Sequence, residues 1–270
     1  MLREIKIGSV IIISKEKINL TKKKSKKVNM KRKKRRLKIL KWTSLLVLII
    51  GAITLFLLSP IFNVKEIIVN NNSKISSEEI INLSSIKKDI NMFKFLKVKV
   101  KEQIRVNPYI ESVEIHRHLN GKIEINVTER VATYIIAKEE GYAYINNQGY
   151  VLEISSEKPE LPSIEGFTSE DITAGNRLEL ADLKKLNIII QIVNSARENN
   201  IAEKISSINI ESDNDIIIKM ETELKTIHFG NGTRINDKII KIIPVLEDNL
   251  GVSGQIFVKD IDKVYFRGDV

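Results

Sequence analysis

The sequence predicts an α+β protein: one transmembrane helix, then a β-α-α-β-β module, then a second mixed, mostly antiparallel β domain with helices. Three observations predict it. Trp42 to Val64 runs for 23 residues without an ionisable side chain. Residues 61 to 130 pass from strand to helical periodicity and back. The remainder strings short β-branched runs between two long stretches of helical period. A length of 270 residues suits two modest domains with extras, and 43% hydrophobic with 29% charged residues is a globular composition.

The apolar run comes first. At ~1.5 Å per residue it extends about 35 Å, enough for a hydrocarbon core of roughly 30 Å. It is longer than the h-region of a cleavable signal, about 7 to 15 residues, so it reads as an uncleaved anchor. Charge sets its orientation. Between Lys22 and Lys41 lie 13 Lys and Arg and no acid, while Lys65 is offset at once by Glu66, which places the N-terminus in the cytoplasm and the body outside it. Residues 1 to 41 hold 17 basic and 2 acidic side chains, leaving 27 and 32 for the rest. The net charge of +10 therefore belongs to a tail on a mildly acidic body. That tail lacks the interleaved aromatics of a single-strand platform, so its expected role is topology and attraction to anionic lipid rather than nucleic-acid binding. Met30 is an alternative start.

After Pro60, Phe62 to Val69 is β-branched and ends in Asn70-Asn71-Asn72, which predicts a strand and a turn. Ser76 and Glu79 have capping-box spacing ahead of Ile80, Ile81, Leu83 and Ile86, which predicts a short helix. A second helix over Phe95 to Val106 stops before Pro108. Val113, Ile115 and Leu119 then alternate with polar residues, Asn120-Gly121 supplies a primed turn, and Ile123, Ile125 and Val127 return as the partner strand.

Three further strands are predicted at 133–137, 142–145 and 150–154, the last two joined by a turn at 146–149. A helix over 181–199 follows, then strands at 206–210, 215–220 and 225–229. The next helix, 235–250, contains Pro244, which predicts a kink or two shorter helices. Strands at 255–258 and 263–267 end the pattern. The division is a basic cytoplasmic tail (1–38), the transmembrane helix (39–60), the first module (61–130), the second α+β domain (131–250) and a C-terminal edge strand with tail (251–270).

Candidate chemistry is sparse. With no cysteine there is no disulfide scaffold, zinc finger, iron–sulfur cluster or thiol nucleophile. His116 and His118 share one strand face without a third ligand nearby. His228, in Thr226-Ile-His-Phe-Gly230, has no partnered nucleophile in sequence. Gly230-Asn231-Gly232 lacks the lysine of a phosphate loop. No catalytic residue, cofactor or metal is expected. The candidate partner-binding residues are Lys263, Val264, Tyr265, Phe266 and Arg267, since a final strand tends to add at a sheet edge and leave a row of backbone groups open.

The phrase Pro108-Tyr-Ile-Glu-Ser-Val-Glu-Ile-His-Arg-His-Leu, the closing strand Ile123-Glu-Ile-Asn-Val-Thr-Glu-Arg130, Tyr144-Ile145 with Gly149, and Leu161-Pro-Ser-Ile-Glu-Gly166 resemble the FtsQ/DivIB bacterial cell-division family. The similarity extends over about 37 to 268. The first module is similar to that family's polypeptide-transport-associated (POTRA) domain; Asn120 stands where the family commonly has proline. The resemblance implies a non-enzymatic scaffold at the division septum of the cell membrane. It further implies that FtsL-type and FtsB/DivIC-type coiled-coil proteins are linked to the septal peptidoglycan synthase complex, with 263–267 recruiting a partner by strand addition. The alternatives are a membrane-tethered cell-wall enzyme and a POTRA-type chaperone or assembly module for membrane proteins.

Overall fold

The computed structural model describes residues 30, 32–139, 141–212, 214–261 and 263–269. Most of the basic tail, including Lys22 to Asn29, lies outside them. The class is α+β, in two compact units.

The first unit holds α1 (Arg32–Leu57), the turn after it and Asn91–Lys94. Helix α1 is the one helix among the described residues long and apolar enough to cross a membrane. It starts inside the basic segment because Lys, Arg and Leu are good helix formers, and Pro60, which cannot continue it, opens a 3-10 turn over Pro60–Phe62. Phe62 therefore belongs to this turn and not to a strand. Its ring sits edge-on to Phe56 at 5.3 Å and to Phe93 at 5.5 Å. Asn91 donates its amide to the carbonyls of Leu57 (2.9 Å) and Ser59 (3.0 Å), satisfying acceptors that the end of α1 leaves open.

The second unit begins with the β-α-α-β-β module. β1 (Glu66–Asn70) pairs parallel with β3 (Lys122–Glu129), which pairs antiparallel with β2 (Ile110–Arg117). Between them α2 (Ser77–Ser84) and α3 (Lys97–Ile104) bury Ile80, Val100 and Ile104, as β2 and β3 bury Val113, Ile115, Ile123, Ile125 and Val127. Ser76 caps α2 by accepting from the Glu79 N–H. The hairpin turn differs from the primed form. Gly121 has φ 94° but Asn120 is not at positive φ, and the Gly121 N–H bonds to the His118 carbonyl. Leu119-Asn120 is thus the turn centre, and Gly121 takes the bulge position that follows it.

The closing Glu129-Arg130 has a structural use. Glu129 accepts from the Lys74 and Ile75 N–H groups, and Arg130 donates to the carbonyls of Pro108 and Ile110 at 2.8 Å while stacking over Tyr150 at 4.2 Å. Lys74 bridges to Glu153 at 3.4 Å. Burial and the Glu153 carboxylate push the Tyr109 hydroxyl above its ordinary pKa. The module and the second sheet are joined by this polar seam.

That sheet has nine strands in the order β12-β11-β10-β9-β8-β7-β4-β5-β6. They are β4 (Tyr134–Lys138), β5 (Gly141–Ile145), β6 (Val151–Ser155), β7 (Ser163–Glu165), β8 (Ser207–Asn209), β9 (Ile216–Met220), β10 (Lys225–Gly230), β11 (Gly254–Phe257) and β12 (Tyr265–Gly268). Opposed residues make one continuous row, Ala143-Ile136-Ile164-Ile208-Ile218-Ile227-Ile256-Phe266, and α4 (Leu180–Glu198) and α5 (Ile235–Asp248) add Leu186, Ile189, Ile192, Ile239, Ile242 and Leu246 to the same core. β7 is the strand the sequence did not signal. It pairs parallel with both β4 and β8. Helix α5 runs unbroken through Pro244, because Pro244 and Ile240, whose carbonyl loses its partner, are both on the exposed side.

Asp182 and Lys225 are, with Lys238, buried ionic groups that hold loops to this core. Asp182, in the first turn of α4, accepts from the N–H and hydroxyl groups of both Thr168 and Ser169. Lys225 donates to the carbonyls of Glu223 (2.9 Å), Asn249 (3.0 Å) and Val252, tying the segment after α5 to β10.

Candidate partner-binding edge

β12 is one edge of the nine-stranded sheet. Its direction of pairing decides which backbone groups remain open. The Asp269 N–H donates to the Ser253 carbonyl, while the Gly254 and Val258 N–H groups donate to Leu224 and His228 on the β10 side. By antiparallel alternation, Tyr265 and Arg267 exchange hydrogen bonds with β11, and the backbone of Phe266 and Gly268 faces away from it.

The five sequence-predicted residues divide by face. Val264 and Phe266 pack against the core, and Phe266 lies 5.6 Å from the Lys225 ammonium. Lys263, Tyr265 and Arg267 are exposed. On that outer face Tyr265 stacks on Phe257 (4.9 Å, 13°) and Phe257 on His228 (4.6 Å, 2°), since the three stand opposite one another on β12, β11 and β10. Arg267 bonds Gln255 at 2.7 Å and lies 5.1 Å from the Phe257 ring. Asp215 closes the ladder, taking Lys259 at 2.9 Å and His228 Nδ1 at 3.4 Å. The residues that sequence reasoning missed here are Phe257, Gln255, Asp215 and Lys259. Only strand register brings them together.

The other histidines sit elsewhere. His116 lies 3.7 Å from Glu114, and His118 lies 3.0 Å from Glu124, where its hydrogen bond holds the Glu124 carboxyl below the usual range. Among the described residues no three metal-ligating side chains converge. The arrangement can bind a strand through backbone groups and an aromatic, basic side-chain face; it assembles no nucleophile with a base.

Comparison with known proteins matches residues 62–130 to the POTRA domain, FtsQ-type. The chain is 36% identical over 175 residues to the cell division protein DivIB of Clostridium tetani, covering 58% of this chain and 66% of that protein. To the DivIB of Clostridium acetobutylicum it is 36% identical, covering 55% of this chain and 61% of that one. The match to the DivIB of Clostridium botulinum strain Loch Maree is 29% identical over 81% of this chain and 86% of the relative. The chain thus spans slightly under two thirds of the length of the first two relatives. The β-α-α-β-β module thus matches an FtsQ-type POTRA domain, and over more than half its length the chain is similar to the DivIB bacterial cell-division proteins.

Proposed function

We propose that this protein is a bitopic, non-enzymatic scaffold of the bacterial division machinery. The N-terminus is cytoplasmic, the body is extracytoplasmic at the septum, and FtsL-type and FtsB/DivIC-type coiled-coil proteins are held for the septal peptidoglycan synthase complex. The observation that carries it is the open edge of β12, whose Phe266 and Gly268 backbone groups point outward beside Lys263, Tyr265 and Arg267. An added strand gains main-chain hydrogen bonds there, and the flanking cations select register and an acidic partner. A shared membrane raises the effective concentration of partners anchored beside it.

The test follows from the strand register. Proline at Tyr265 would break the ladder to β11, so it cannot separate binding from folding. Gly268→Pro removes an outward donor instead, and a Cβ there meets nothing nearer than 3.8 Å. Co-purification of the full chain with its coiled-coil partner is expected to fall about tenfold for Gly268→Pro, a loss of ~1.4 kcal/mol, and to be unchanged for Gly268→Ala. Undiminished capture by Gly268→Pro would move the interface off β12. Topology has its own check: protease added to wall-stripped cells is expected to digest the chain beyond Lys65 and spare the tail. Protection of the large domain would reverse the orientation.

A further inference from the structure

Residues 87–105 depart from the charge of the body around them. They carry seven Lys or Arg against two acids, whereas the residues from 42 onward are acidic as a whole. Lys97, Lys99, Lys101 and Arg105 lie on or just after α3, and no ion pair among the described residues engages any of them. Apolar side chains are exposed among these cations: Leu96 is 63% exposed and Val98 66%, while Val100 and Ile104 of the same helix are buried against the module. A helix whose core-facing positions are already filled has no folding reason to expose two more apolar residues among cations.

The chain itself says what surface is near. Asn91 is bonded to the carbonyls at the end of α1 and Phe93 packs on Phe62, so residues 91–93 are fixed where α1 leaves the hydrocarbon. Leu96 follows Phe93 by three residues, a reach of about 10 Å at most. That is of the order of one headgroup layer and of one screening length at physiological salt, roughly 8 Å.

We propose that the Leu96–Arg105 surface docks on the anionic phospholipid headgroups of the leaflet from which α1 emerges, Leu96 and Val98 entering the interface while Lys97, Lys99, Lys101 and Arg105 meet phosphates. Basic side chains with a few apolar ones suit such an interface. The docking rests on α1 being the membrane anchor proposed above. It gives the first module a second hold on the bilayer and so limits how freely it swings on its single helix.

The absence of cysteine permits a direct test with the full chain in vesicles. Val98→Cys, labelled with an environment-sensitive dye, is compared with His116→Cys, an exposed position on the opposite face of the module's sheet. In phosphatidylcholine–phosphatidylglycerol vesicles the dye at 98 is expected to shift to the blue and to be quenched by brominated lipid, and the dye at 116 to do neither. Phosphatidylcholine alone, or salt of about 1 M where screening falls to roughly 3 Å, should abolish the shift, as should Gln at positions 97, 99, 101 and 105 together. The same spectrum at 98 in neutral and anionic vesicles would overturn the docking while leaving the anchor intact. Failure of the chain to float with either vesicle would overturn the anchor, and the docking with it.

Discussion

Asp182→Ala is expected to destabilise the second sheet domain by about 3–5 kcal/mol. The Asp182 carboxylate is fully buried and takes the Thr168 N–H at 2.9 Å and the Ser169 N–H at 2.7 Å. Ser169 in turn accepts the Glu179 N–H at the head of α4 through its hydroxyl. Truncation orphans these donors in a site that water does not reach, and it unfastens the 167–169 loop from the helix. For a domain of this size the loss corresponds to a fall in Tm of roughly 10 °C, read by circular dichroism of the chain in detergent. The same group predicts a pH dependence. Burial alone would push the Asp182 carboxyl up, but hydrogen bonds from Ser169 and Thr168 outweigh it and hold the carboxyl below the usual range. Its contribution is therefore complete above the unfolded value of about 3.9 and is lost as the pH falls through the lower, folded value. Asp182→Asn, which keeps the shape, should flatten that acid limb; an unaltered limb would assign it to other carboxylates.

Gly166→Ala carries the second large effect. Gly166 follows β7 at φ 90°, where an L side chain costs about 1–3 kcal/mol in strain. The added methyl would also lie 2.3 Å from the Glu211 nitrogen and 2.7 Å from the Ile210 carbonyl carbon. Both are backbone atoms just beyond β8, so nothing flexible can yield, and the Glu165 carbonyl that accepts the Ile210 N–H must move as well. Displacing that strand end adds a further 1–3 kcal/mol or so. Hydrogen exchange should show lost protection at Ile208 and Ile210 before the β4–β5–β6 meander is affected. Wild-type protection in a folded Gly166→Ala protein would count against the tight approach.

Local pattern and long-range register explain what could be read from the sequence. The β-α-α-β-β order was legible because the Ser76 cap, the break before Pro108 and the alternation of Val113 to Val127 are local signals. The long apolar helix α1 was legible from an uncharged run alone. β7 was not, because Ser163-Ile164-Glu165 is too short to show a period, and its strand character comes from β4 and β8 on either side. The turn at 118–121 shows the same limit: Asn-Gly specifies a tight turn, but the pairing of Arg117 with Ile123 decides which residues occupy its centre. At the candidate edge the sequence located an edge strand and not its faces. Phe257 stands behind Tyr265, and His228 behind Phe257, only once the order β10-β11-β12 is fixed. Likewise the helical spacing groups Leu96 with Val100 and Ile104 on one apolar side, but the helix begins only at Lys97, so Val100 and Ile104 fill the core-facing side while Leu96, at its N-cap, is left exposed.

The parallel joints on both sides of β7 also set a clock. An antiparallel hairpin such as β4–β5 closes over a few residues, but β7 reaches β4 only after β5 and β6 have been laid down, and β8 reaches β7 only after the whole of α4. Loop-closure entropy must be met before either joint returns a contact, and distant pairings of this kind slow folding. The antiparallel pairs on each side are the early events, and the three-residue strand between them is the late one. Substitutions in β7 should accordingly leave the folding rate nearly unchanged and speed unfolding, whereas those in the β4–β5 hairpin slow folding. While the chain folds, the interval before β7 closes is the period in which the edges of β4 and β8 stand open to proteases and to one another's copies.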